Sequence, residues 1–222
     1  MLALPLLFLL LSPSAASPMP SPLPPALSSW LSSFVLRLRL CPFAHRPLVA
    51  RPDELRHVAY GGSTLPPLVT LLKSEARLLA SLDGSPSRLT TLVTLPPSLF
   101  PAFEDLNAFA AGALPLEIPE LGGSVQVAQF HPGFRFSPAG GPGEDPAEDY
   151  VGRSPVPFLH LLREEEVGRA AGKWEGEGGA PIWERNGEVM RMIGEGGMGE
   201  VGGGGELPGE VLAFLEREKS GG

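Results

Sequence analysis

Along the first hundred residues the apolar positions fall into two rhythms. Leu27, Trp30, Leu31, Phe34, Val35 and Leu38 recur three and four residues apart, with Ser32, Ser33, Arg37 and Arg39 falling mostly elsewhere. That spacing puts one apolar stripe on a helix, so an amphipathic opening helix is predicted. It ends near Cys41, because Pro42 disfavours helical geometry in the residue before it and Pro47 prevents a long restart. "RHVAYGGS" then reads as a short strand closed by Gly61 and Gly62. In "PPLVTLLKSEARLLASLDG" Pro67 suits a first helical turn, and Leu68, Leu71, Leu72, Leu78 and Leu79 supply the apolar face.

"RLTTLVTLPP" is rich in β-branched residues and stopped by prolines, a second strand, and "SLFPAFEDLNAFAAGALP" is a second crossover helix. "GSVQVAQFHPGFRF" is the clearest strand, with Val125 and Val127 on one face and Ala128 and Phe130 on the other. Strand, helix, strand, helix, strand implies parallel neighbours, since a crossover has room for a helix. The predicted fold class is α/β: a small parallel or mixed sheet with crossover helices, followed by C-terminal helices. "SPAGGPGEDPAEDY" reads as a loop, "SPVPFLHLLREEEVGRAAG" as a helix capped by Ser154, "APIWERNGEVMRMIG" as another, and "GEVLAFLEREK" as a short closing helix.

Composition then divides the chain. The apolar run Leu2–Leu11 followed by Ala15 and Ala16 has the layout of a cleavable leader over 1–17, although no Lys or Arg precedes Arg37. Residues 18–26 are a Pro/Ser linker, 27–193 a single domain, and 194–222 a Gly/Glu-rich segment expected to be flexible apart from its terminal helix. A net charge of −8 over 222 residues argues against nucleic acid. The run is too short to span a bilayer, so no membrane partner is expected once the leader is removed. One cysteine makes no internal disulfide. Leader and lone thiol together point to an organelle, a plastid first, with the secretory pathway or cytoplasm as alternatives.

The motifs "LCPFA" (40–44), "VQVAQFHPGFRF" (125–136), "RSPVPFLHLLRE" (153–164) and "IWERN" (182–186) occur in the order, and with the content, of the family catalogued as domain of unknown function 1415. The chain resembles that family from about residue 30 to 193, and the resemblance implies no known reaction. Two positions depart from the pattern. Gly152 stands where the resemblance implies an asparagine before Arg-Ser-Pro, and Leu106-Asn107 stands in place of a Tyr-Asn pair.

The chemistry is carried by few residues. Cys41 at a helix end faces the negative pole of the helix dipole, which disfavours a thiolate, so a packed thiol is set against a nucleophile using His45. His131 falls just past the carboxyl end of its strand, where ligands bind in open parallel sheets, or else it hydrogen-bonds a loop carbonyl. On the helix predicted from Ser154, His160, Arg163 and Glu164 stand at i, i+3 and i+4 and share one ridge, and Arg153 adds a cation near the positive helix end. Such a group can hold a phosphate or carboxylate and move a proton. Asn186 falls within an apolar stripe and either ties a loop or faces a ligand, with Glu184 and Arg185 at the rim. No metal-ligand spacing and no G-x-S-x-G elbow occur, and the cofactor stays unknown. The candidate catalytic residues are therefore His131 and His160, and the candidate ligand-binding residues Arg153, Arg163, Glu164 and Asn186. Three readings stay open: an enzyme acting on a small anionic molecule, a non-catalytic ligand-binding protein, and an interaction module. The oligomeric state is not predicted.

Overall fold

The structure is a computed structural model that describes residues 19–85, 87, 89–136, 147–176 and 180–220. The leader 1–17 and the loop residues 137–146 lie outside the described residues. Four strands, β1 (Leu55–Ala59), β2 (Thr90–Thr94), β3 (Val125–Phe130) and β4 (Phe158–Arg163), form one mixed sheet in the order β1-β2-β4-β3. β1 and β2 pair in parallel, whereas β4 runs antiparallel to both β2 and β3. The α/β class holds, and β1, β2 and β3 point the same way as expected, but an antiparallel strand separates the second from the third.

That inserted strand is the main correction to the sequence reading. "FLHLLR" is not the start of a helix; it is β4, and the helix α5 (Glu164–Gly176) begins only at the acidic run. Leu159 and Leu162 satisfy a helical spacing, but a strand flanked on both sides and covered on both faces is apolar nearly throughout, so spacing cannot separate the two. The prolines at 155 and 157 were the better signal, because each biases the residue before it towards an extended conformation.

Helices cover both faces. On one side α2 (Leu65–Ala80) and the stretch formed by α3 (Phe103–Asn107), a π-helical turn (Ala108–Ala113) and α4 (Leu114–Glu117) pack Leu68, Leu72, Leu106 and Phe109 against Val93, Val125, Leu159 and Leu161. On the other, α1 (Pro25–Trp30) with its π-helical extension Leu31–Leu36, α6 (Ile182–Gly202) and α7 (Gly209–Ser220) pack Trp30, Phe34, Val189, Met190 and Val211 against Leu92 and Phe158. Trp30 meets Phe130 and Phe158 edge-on at 6.0 and 6.2 Å, and those two rings stack at 4.5 Å.

Two segments expected to lack a core of their own are docked. Ser21, in the Pro/Ser linker, bonds through its backbone N–H to the His57 carbonyl at 2.9 Å and so occupies the outer edge of β1. The Gly/Glu-rich stretch after 193 continues α6 past a non-helical Gly194 to Gly202, with Met198 and Val201 buried. Its glycines disfavour a helix, but two apolar side chains three residues apart reach the core. Ser33 and Arg37 on the opening helix then donate to the carbonyls of Gly202 and Gly205.

Candidate functional site

The three parallel strand ends open on one side, and His131 stands beyond the last of them. Its ring lies on the α2–α3 side of the sheet, and both ring nitrogens are occupied. Nε2 donates to the Phe100 carbonyl at 3.0 Å, which leaves Nδ1 to accept the Gly133 N–H at 2.9 Å. This tautomer follows from the carbonyl, which can only accept. The imidazole is 6 % exposed and ties two loops together.

Arg153 belongs to the same knot. Its Nε donates to the Phe134 carbonyl at 3.2 Å, its guanidinium lies 4.3 Å over the Tyr150 ring, and Asp149 is 3.8 Å away. The His131 backbone N–H donates to the Gly152 carbonyl at 3.3 Å. Gly152 is where the resemblance implied an asparagine, and the space its side chain would need is filled: a Cβ there would stand 2.5 Å from the Phe134 ring. Phe134 lies 4.7 Å from Phe103 and 4.9 Å from Phe136, centroid to centroid. Gly152→Asn is therefore expected to lower stability by roughly 1–3 kcal/mol through overpacking. Adding Phe134→Leu should recover part of the loss, and strictly additive denaturant midpoints would contradict this account.

His160 lies on the opposite face. It pairs with Leu92 and Ala128 across the sheet, so it shares the face that carries Leu92 and Phe158 into the α1–α6 core. Its Nε2 meets Thr90 Oγ1 at 2.6 Å, and that hydroxyl donates to the Leu161 carbonyl at 2.8 Å. The hydroxyl proton being spent, Nε2–H donates to Thr90 and Nδ1 is left with a lone pair. Nδ1 has no hydrogen-bond partner among the described residues. Desolvation holds the half-buried ring neutral, pushing its pKa down to about 4. A second pair on the same face, His57 Nε2 to Thr94 Oγ1 at 3.0 Å, is closed at its other nitrogen by the Ser21 carbonyl at 3.0 Å. β2 thus presents Thr90, Leu92 and Thr94 in alternation, each threonine holding one histidine.

The remaining candidates are dispersed. Arg163, 1 % exposed, is three residues from His160 in a strand, hence on the other face, and is held by the Ser87 carbonyl, by Glu165 at 3.0 Å and by Asp83 at 3.7 Å. It pairs with the first residue of β3, at the end of the sheet away from His131. Glu164 is exposed, and its backbone N–H donates to the Ser124 carbonyl at 2.9 Å. The ridge of His160, Arg163 and Glu164 does not exist, because strand geometry turns alternate side chains to opposite faces. The sheet separates His160 from His131, and the two arginines stand at opposite ends.

Asn186 ties a loop. Its Nδ2 donates to the Leu40 carbonyl at 2.8 Å, while Arg185 Nη1 donates to the Leu38 carbonyl at 2.8 Å. Between those carbonyls Arg39 is left-handed at φ 54°. Cys41 follows directly, half-buried against the α1–α6 core, and burial pushes its thiol up despite the Phe43 and Ala44 N–H groups. Native protein should react slowly with thiol reagents at pH 7, the rate rising with pH. Rapid modification at neutral pH would overturn the packed-thiol reading.

Sequence reasoning missed the threonines of "TTLVT", whose alternation was visible and whose partners were not. It also missed Arg46, bonded to buried Glu54 beside the start of β1. Those bonds, with the charge of Glu166 adding, hold the Arg46 guanidinium above its ordinary range. Among the described residues no group of three His, Cys, Asp or Glu side chains could hold a metal ion, and no helix is long and apolar enough to cross a membrane.

No curated protein and no solved structure matches the chain. A family model does, over residues 24–200, which take in the whole sheet, α1 to α5 and most of α6, and with them His131, Arg153, His160, Arg163, Glu164 and Asn186. Its description is protein of unknown function (DUF1415), and the chain belongs to that family.

Proposed function

We propose that the domain binds a small polar molecule at the sheet face around His160, without acid/base catalysis by a histidine and arginine pair. The observation that supports this reading is the state of His160. It is neutral, fixed through Nε2–H on Thr90, and has a bare Nδ1. A rigid acceptor of this kind selects a ligand that donates a hydroxyl or amide hydrogen bond, since a site built for a donor rejects molecules that lack one. The anionic ligand expected from the sequence has less support, because Arg153 and Arg163 are engaged elsewhere and Arg46 faces Glu54. A transit role for residues 1–17 with delivery to a plastid belongs to the same proposal. A fluorescent fusion of residues 1–30 that stays in the cytosol would dispose of it.

Nitrogen NMR of the full chain tests the site. His160 Nδ1 should resonate as an unprotonated nitrogen from pH 7 down to about 5. Compounds that raise the thermal midpoint should move that resonance and lose their effect in Thr90→Val or His160→Ala. Hits that stabilise those variants as well as the parent would overturn the assignment. The pH dependence of stability is a separate check. From about pH 6.5 down to about 4 the unfolded chain takes up a proton that folded His160 refuses, so stability falls as pH falls through that window. The loss attributable to this ring is on the order of 3 kcal/mol, and His160→Gln should flatten it.

A further inference from the structure

The "IWERN" motif is divided between two environments. Arg185 and Asn186 are 3 and 5 % exposed and clamp the 38–40 turn, whereas the neighbouring Trp183 is 70 % exposed. The indole is thus carried by backbone that the buried pair holds rigid. Beside it, Glu148, Glu184, Gly187, Glu188 and Arg191 line an open groove of about 390 Å³. Glu148 is spent on Arg191. Glu184 and Glu188, four residues apart on one helix face, are exposed and carry no ion pair among the described residues. Gly187 forms the floor, since a Cβ there would press on Glu148 at 3.2 Å and Arg191 at 3.4 Å.

We infer that this groove docks a basic peptide segment of a partner protein, one arginine or lysine side chain lying over the Trp183 indole between Glu184 and Glu188. The charge and the ring select the same occupant, since two unpaired carboxylates attract a cation and an indole face is the best aromatic surface for one. A peptide fits better than a free amine. The groove is at the small end for ligand sites and open along the helix, so it cannot enclose most of a small molecule's surface. A polypeptide adds contacts beyond the rim. Phe136, 61 % exposed, is tied to the 147–151 turn that carries Glu148, its N–H donating to Asp149 Oδ1 at 2.8 Å. The chain's net charge of −8 favours encounter with a basic partner.

Fluorescence anisotropy with a labelled, end-capped tetra-arginine peptide and the full chain tests this at physiological salt. Saturable one-to-one binding is expected, weakened roughly three- to tenfold by Trp183→Ala and by Glu184→Gln/Glu188→Gln, and kept by Trp183→Phe. Since Trp183 is exposed, the thermal midpoints should be unchanged. Absence of binding would overturn the inference, as would equal affinity in Trp183→Ala, which would mean diffuse attraction to an acidic chain. Capped single arginine binding as tightly as the peptide would also overturn it, leaving a small-cation site.

Discussion

Arg56→Met is expected to be among the most damaging single substitutions in this protein, costing about 3–5 kcal/mol. Arg56 on β1 and Glu75 on α2 join through two bonds, Nε to Oε2 at 2.7 Å and Nη2 to Oε1 at 3.0 Å. The carboxylate side chain is fully shielded from solvent, the guanidinium 13 % exposed. Without the arginine, the described partner left to the carboxylate is the Thr91 hydroxyl at 3.4 Å. A charge stripped of its partner in that setting has lost its hydration and its compensation together. Since small domains are stable by only about 5–15 kcal/mol, the denaturant midpoint should drop by a large fraction. Arg56→Met/Glu75→Leu should recover most of the loss, because an apolar pair of similar volume escapes the desolvation cost. A loss under about 1 kcal/mol in the single variant would show that water reaches Glu75.

The second large effect is expected at Arg185. Its Nε and Nη2 hold Glu218 on α7 at 2.9 and 2.8 Å, and Nη1 reaches the Leu38 carbonyl and Asn186 Oδ1. One side chain thereby fastens the C-terminal helix and the left-handed turn at Arg39 to α6. Arg185→Met should cost about 3 kcal/mol, since hydrogen bonds to charged groups are worth more than neutral ones and Leu38 loses a donor. Hydrogen exchange distinguishes this from general weakening: α7 amides should lose protection while those of β2 and β4 keep theirs. Uniform loss across the sheet would argue against a local fastening role. Asn186→Ala, which frees only the Leu40 carbonyl, should cost less.

These two clusters also show how much of the site was legible. Asn186 was visible as a polar residue within an apolar stripe, and a buried amide must find partners, so its tie to a loop backbone followed from chemistry alone. His131 follows directly on the last residue of its strand, as the alternation of "VQVAQF" predicts, and a loop carbonyl occupies its Nε2. A common ridge for His160, Arg163 and Glu164 requires a helix, and the segment is β4 up to Arg163. A strand through the same residues sends His160 to one layer and Arg163 to the other. The partners that give His160 its character, Thr90 and the Leu161 carbonyl, come from 70 residues away in sequence and from its own strand's backbone.

The α/β class, the amphipathic opening and crossover helices, the common direction of the first three strands and the family were all legible in the sequence. Those properties are local: periodicity, proline and glycine positions and the length of each crossover act over ten to twenty residues. Only the packed molecule makes "FLHLLR" a central strand, folds the Gly-rich end of α6 onto Ser33 and Arg37, and leaves one histidine with an open nitrogen. Each of these depends on neighbours distant in sequence. An apolar run becomes a strand only when flanking strands complete its hydrogen bonds, and an imidazole becomes a lone acceptor only when a threonine across the sheet occupies its other side.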